Sequence, residues 1–218
     1  MSLSALNIPF CSFENWDLDG VNRSTGVNPI AVIIDAPHVA TAHYLSPDLE
    51  VVNVIPSKTL VGEGYFISIN VTVADPGFSA EIFNVTLYAN SSSVENQTVI
   101  LAPGWSRILH FSWNTSGFIY GNYSISAYAW PVQSEVITAN NNCTADTQIH
   151  VGIPGDVSSS MLGLYDKVVN MKDVAYMVAL FNAKPGSPNW NPNADVNNDG
   201  VVNMKDIATA ILNFNRHE

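Results

Sequence analysis

A chain of 218 residues, 47% of them apolar, has enough nonpolar mass for packed cores and is not a disordered segment. Charged residues make up only 12% and the net charge is −11, so the scattered lysines and arginines offer no patch to nucleic-acid phosphates. No run approaches the ~18 apolar residues of a membrane-spanning helix. Met1-Ser2-Leu3-Ser4 lacks the basic and apolar regions of a signal peptide, so a secreted protein would carry its leader outside this segment.

Residues 5–46 are short for a domain, and the Asp19-Gly20 turn between apolar runs predicts a hairpin. Trp16-Asp-Leu-Asp-Gly20, Asn28-Pro29, Asp35-Ala-Pro37-His38 and Thr41-Ala-His43-Tyr44 resemble the end of a small β-repeat of large bacterial and archaeal surface proteins. The resemblance implies part of one repeat. Cys11 and Cys143 are too few for a disulfide framework; pairing across domains is one alternative, and two unrelated free thiols is the expected reading.

From residue 47 to 152 the pattern alternates with period two, with turn residues every 8–12 positions. Ile67, Ile69, Val71 and Val73 share one face, as do Phe83, Val85, Leu87 and Ala89. Leu109, Phe111 and Trp113 form a third apolar face, and Tyr123, Ile125, Ala127 and Ala129 a fourth. With further strands near 49–55, 94–101 and 144–151, about seven strands predict an immunoglobulin-like sandwich. Val61-Gly-Glu63, Phe83-Asn-Val-Thr-Leu-Tyr88, Leu101-Ala-Pro-Gly104 and Gly121-Asn-Tyr-Ser-Ile125 resemble a CARDB-type adhesion module. Ile153-Pro154-Gly155 then reads as a short stiff linker.

Asp195-Val-Asn197-Asn-Asp199-Gly200-Val201-Val-Asn203-Met-Lys-Asp206 carries the clearest chemistry. Oxygen-bearing side chains stand at loop positions 1, 3, 5, 9 and 12, Gly200 is at the sharp turn, and Val201 would offer its carbonyl. That is the EF-hand arrangement for a cation of Ca²⁺ size. Residues 168–182 align with 201–215 without gaps, with nine identities in fifteen, so the half-loop and following helix are duplicated. The helices are expected to bury Val174, Met177, Val178 and Phe181, and Ile207, Ala210, Ile211 and Phe214. In the first loop Asp156, Ser158, Asp166, Val168, Asn170 and Asp173 are the candidate ligands. Six extra residues precede Asp166, and Lys167 stands where the second loop has glycine. Ser158 is neutral, so weaker binding is expected there.

With the Asn189-Trp-Asn-Pro-Asn-Ala-Asp195 connector, residues 153–218 resemble a type I dockerin domain. The resemblance implies two Ca²⁺ ions, folding that needs them, and a cohesin-like partner. In the family the partner is read by loop positions 10 and 11, here Met171, Lys172, Met204 and Lys205. The expected fold class is mainly β with a small α C-terminal domain: an Ig-like β-sandwich plus a paired EF-hand-like, dockerin-like loop-helix module.

Eight Asn-x-Ser/Thr sequons begin at Asn22, Asn70, Asn84, Asn90, Asn96, Asn114, Asn122 and Asn142. They suggest glycosylation of an extracellular or cell-surface protein, although an alternating polar strand face generates such triplets by itself. No metalloprotease, nucleophile-elbow or phosphate-loop motif is present, and a non-catalytic function is expected. Trp113 fits a core face, whereas Trp105 and Trp130 read as exposed; a carbohydrate site on them is the weaker expectation. The alternatives are the accessory tail of an extracellular glycoside hydrolase or protease, linked to polysaccharide catabolism, and a calcium-stiffened structural segment with no separate partner.

Overall fold

The computed structural model describes residues 1–23, 25–157 and 165–218. At the N-terminus lie β1 (Ser2–Leu3), β2 (Ser12–Leu18), β3 (Val21–Asn22), β4 (Ile30–Ala31) and β5 (Ala40–Leu45). β2 and β3 form the hairpin expected at Asp19-Gly20, both residues having positive φ (53° and 80°) as a tight two-residue turn requires. β5 adds antiparallel to the other side of β2, and β1 pairs with β4. Trp16, Leu18, Ile30 and Val32 form a small apolar cluster.

The sandwich comprises β6 (Glu50–Pro56), β7 (Leu60–Gly62), β8 (Phe66–Ala74), β9 (Glu81–Ala89) and β10 (Ser92–Leu101). It continues with β11 (Ser106–Asn114), β12 (Gly121–Tyr123), β13 (Ile125–Ala129), β14 (Asn142–Thr144) and β15 (Ile149–Gly152). One sheet has the order β11-β8-β6 and the facing sheet the order β10-β9-β13-β14. β15 switches to pair with β12 and, in parallel, with β7. This is an Ig-like sandwich, and its alternation is steric: β-branched and aromatic side chains fill the space between the sheets while their neighbours face solvent. Ile67, Ile69, Val71 and Val73 of β8 and Val85, Leu87 and Ala89 of β9 are fully buried. Trp113 lies in the core with Phe118 and Tyr123 edge-on to it, while Trp105 and Trp130 are exposed. Thr86 interrupts the alternation of β9: it is buried, with Asn96 Nδ2 and Trp130 Nε1 both donating to its hydroxyl. Both cysteines are free.

Helices α1 (Met171–Ala179) and α2 (Met204–Leu212) complete the chain. Among the described residues no helix is long and apolar enough to cross a membrane. The duplication is visible as exchanged backbone hydrogen bonds. Val202 in the second loop bonds Asn182 and Ala183 beyond α1, and Val169 in the first loop bonds Asn215 and Arg216 beyond α2. Each loop is thus tied to the end of the other half's helix.

The segment expected to be a linker is packed. Ile153 is 1% exposed and joins a cluster with Leu60 of β7, Val157, Met177, Val202 and Ile207. Gly155 has φ +96°, and a Cβ there would meet the Ala210 Cα at 2.5 Å. The backbone runs so close to α2 that only glycine fits. An apolar residue placed between two apolar surfaces gains by burial, which turns a stiff linker into shared core.

Candidate metal centres

Each helix begins at an asparagine whose sequence context makes a capping box. Asn170 Oδ1 accepts from the Lys172 amide at 2.8 Å while Asp173 Oδ2 accepts from the Asn170 amide at 2.8 Å. Asn203 and Asp206 repeat this around the Lys205 and Asn203 amides at 2.8 Å each. Four amide groups that a helix start leaves unpaired are thereby satisfied. The second oxygens of these aspartates also accept backbone bonds. Asp173 Oδ1 takes the Val157 amide at 2.9 Å, and Asp206 Oδ1 takes the Val196 amide at 2.8 Å. The position-12 carboxylate therefore fastens each helix to the start of its own loop.

These bonds bring two sets of three carboxylates together. Asp195, Asp199 and Asp206 each offer an oxygen within 4.8 Å of the others, and so do Asp156, Asp166 and Asp173. In the second loop Asp195 accepts the Asp199 amide at 3.1 Å and the Gly200 amide at 2.9 Å, with Gly200 at φ +84°. In the first, Asp156 Oδ1 accepts the Asp166 amide at 3.3 Å. The six extra residues leave the meeting of positions 1 and 5 intact. Lys167 takes the turn at φ +69°, the left-handed conformation that Gly200 supplies in the second loop, and Glu218 secures it through its amide and a 3.7 Å ion pair.

The remaining candidate ligands divide. Asn197 sits inside the second loop with its Oδ1 accepting from the Asp199 amide. The carbonyls of Val201 and Val168 accept from the Asn203 and Asn170 side-chain amides, at 3.1 Å each. Asn203 and Asn170, expected at ligand position 9, have their Oδ1 atoms committed to the helix caps instead. Their NH₂ groups face the loops, and Asn203 Nδ2 reaches both Asp199 oxygens at 3.2 and 3.3 Å. Each Oδ1 takes one backbone amide at the helix start, and the NH₂ groups brace the loop. Ser158 lies outside the described residues.

A hard divalent cation fits both clusters. Three carboxylates this close repel one another unless a cation stands between them. Among the described residues, Asp156 Oδ2 and Asp166 Oδ1 are buried with no hydrogen-bond partner, as oxygens reserved for a ligand would be. Burial, and then the neighbouring Asp173 carboxylate, push the Asp156 carboxyl up to about 7. Burial also raises Asp195.

The two clusters differ in surroundings that the local motif does not contain. Beside the second loop stands Lys58 of the sandwich, 3% exposed, its ammonium donating to the Asp195 carbonyl at 2.8 Å. Near the first lies the Glu218 carboxylate, which adds to the repulsion on Asp156 and whose side chain is 6% exposed against His150. His150 in turn stacks on Tyr165 at 3.6 Å. Neither Lys58 nor Glu218 was a candidate, because nothing in a loop pattern points to a residue 137 positions away.

The candidate partner face is open. Met171 and Met204 are 64% and 60% exposed, and Lys172 and Lys205 reach back to Asp166 and Asp199 at 3.7 and 3.2 Å. The expected apolar stripe is only half correct. Met177, Ile207 and Ala210 are buried, but Val178, Phe181, Ile211 and Phe214 are exposed. Position 12 points inward, so α1 buries Asp173 and Met177, with Leu180 buried just beyond its end, rotated by one residue from the stripe read by hydrophobicity alone.

Residues 46–146 match the family model for CARDB, and residues 165–215 match that for the dockerin type I domain. No curated protein matches the chain. Among solved structures, a CARDB domain from Pyrococcus furiosus, in complex with di-metal ions, is 27% identical. The match covers 48% of this chain and 88% of that one, with a TM-score of 0.40. A domain of a putative cell surface protein from Methanosarcina acetivorans is 25% identical, covering 48% and 91%, with a TM-score of 0.39. A type II cohesin–X-dockerin complex from Acetivibrio cellulolyticus is 14% identical, covering 62% and 83%, with a TM-score of 0.26. The chain carries a CARDB module followed by a dockerin type I domain.

Proposed function

We propose that residues 153–218 form a calcium-dependent docking module that presents Met171, Lys172, Met204 and Lys205 to a cohesin-like partner. The sandwich of residues 47–152 carries it, and residues 5–46 are part of a surface-protein repeat. The setting is a secreted or surface-attached, non-catalytic segment of an extracellular assembly of the polysaccharide-degrading kind. The observation that supports this most is the duplicated carboxylate cluster, with the exposed Met-Lys pairs set at the first turn of both capped helices.

In each loop Ca²⁺ would supply the positive charge that lets three converging carboxylates, the first and last of them buried, stay ionised together. Asp195, Asp199 and Asp206 would hold it in the second loop, with Asn197 and the Val201 carbonyl as further donors; Asp156, Asp166, Asp173 and the Val168 carbonyl would do so in the first. The loops brace the helices against each other, and a preformed face costs less ordering entropy on association. Because Met-Lys occurs in both halves, the face repeats itself about the module's pseudo-twofold.

Surface plasmon resonance against a panel of recombinant cohesin modules, with calcium and with a chelator, tests the reading. A response that needs calcium and is lost in the Met171→Asp, Met204→Asp double variant is expected. A response indifferent to both would contradict it. One observation favours a second reading, in which the module serves as a calcium-stiffened joint with no separate partner: Leu60 and Ile153 are buried between the sandwich and the helices.

A further inference from the structure

Lys58 lies in the turn between β6 and β7, yet its ammonium is buried against the first residue of the second metal loop, 2.8 Å from the Asp195 carbonyl. Next to it, Asn193 Oδ1 accepts from the amides of Thr59 and Leu60 at 3.1 and 3.0 Å. Asn193 Nδ2 returns a bond to Thr59 Oγ1 at 3.1 Å. Leu60, although a strand residue of the sandwich, is packed in the helical module's apolar cluster. The sandwich edge and the residues opening the second loop are thus interlocked by polar and apolar contacts together.

We propose that the second metal loop is an inter-module site: Lys58 is a positioning residue supplied by the sandwich, and filling the loop stiffens the sandwich edge at Thr59 and Leu60. This rests on reading the loop as a calcium site. A buried ammonium is tolerated only where its partners are fixed. Here the partners are the Asp195 carbonyl and the nearby Asp195 and Asp206 carboxylates, which draw the ammonium by charge. Those two carboxylates converge with Asp199, so whatever holds the three together also fixes the carbonyl that Lys58 binds. The first loop meets the sandwich differently, through the Glu218 carboxylate bonded to His150 at 2.8 Å. By linkage, a loop whose filling steadies the edge is itself filled more readily when the edge is in place. A lysine with a purely structural role would hold the edge equally with and without metal.

Amide hydrogen exchange on the full chain, resolved by NMR with calcium and with a chelator, tests this. Calcium is expected to slow the Thr59 and Leu60 amides by about 5-fold or more, the lower range of a coupling between sites, and by less than about 2-fold in Lys58→Met, while the Ala210 amide in α2 is slowed in both proteins. Slowing at Ala210 without slowing at Thr59 and Leu60 in the wild-type chain overturns the proposal, and that comparison needs no variant. Equal slowing in Lys58→Met also overturns it. If calcium slows none of these amides, the calcium reading of the loop falls together with the coupling.

Discussion

Asp156 and Asp195 stand at the same position of their loops and meet different charges. Burial and Asp173 hold the Asp156 carboxyl up to about 7, with Glu218 contributing in the same direction, whereas Lys58 opposes the rise at Asp195. The sign of the consequence follows from proton binding. Between 3.8 and about 7 the folded, metal-free chain keeps a proton on Asp156 that the unfolded chain releases. This group's contribution to stability therefore falls as pH rises through that window. Calcium favours the ionised carboxylate, so loading opposes the fall. The rise in melting temperature on adding calcium is expected to be larger at about pH 8 than at about pH 5. Equal rises measured by scanning calorimetry would contradict the role given to Asp156. The carboxylates were legible in the sequence because their spacing is local. Lys58 and Glu218 were not, since tertiary packing alone brings them to the loops.

At the scale of the element, the helices show how two demands on one residue are resolved. Asn170 and Asn203 fit ligand position 9 by spacing, but the same spacing places them at N-caps, and the structure uses their oxygens there. Asn203→Ala should lower the stability of the metal-free chain by about 1 kcal/mol, the usual value of such a cap. Denaturant unfolding in a chelator measures this, and an unchanged midpoint would show that the cap contributes nothing. The strands were readable almost residue by residue, because alternation in β8, β9, β11 and β13 answers to one buried gap between sheets. The helices were readable in position but not in rotation. Hydrophobic spacing favoured a stripe that included Val178 and Phe181, whereas the inward Asp173 turns α1 so that Met177 is buried together with Leu180 just beyond the helix. A buried carboxylate counts as polar in any hydrophobic pattern and so misplaces the face.

Across the whole molecule, the sandwich and the helical module meet through packed core. Gly155 sits where the backbone passes α2 with no room for a side chain. Gly155→Ala meets both a clash and a positive φ, and should cost more than about 2 kcal/mol. A melting temperature within a degree or so of wild type would show instead that the junction yields, since ~1 kcal/mol moves Tm by about 2–4 °C at this chain length. The junction was misread as a linker because Pro-Gly reads locally as a breaker, while burial of Ile153 depends on Leu60, far back in the chain. Met171 and Met204 stay exposed although the module is packed on the sandwich, so the proposed docking residues are not covered by that junction.

Calorimetric titration of the full chain with Ca²⁺ measures the central claim directly. Two binding events are expected, one lost in Asp195→Ala and the other in Asp156→Ala, each variant leaving the remaining event in place. An isotherm without binding, or one that neither substitution alters, would contradict the assignment of the two carboxylate clusters as calcium sites.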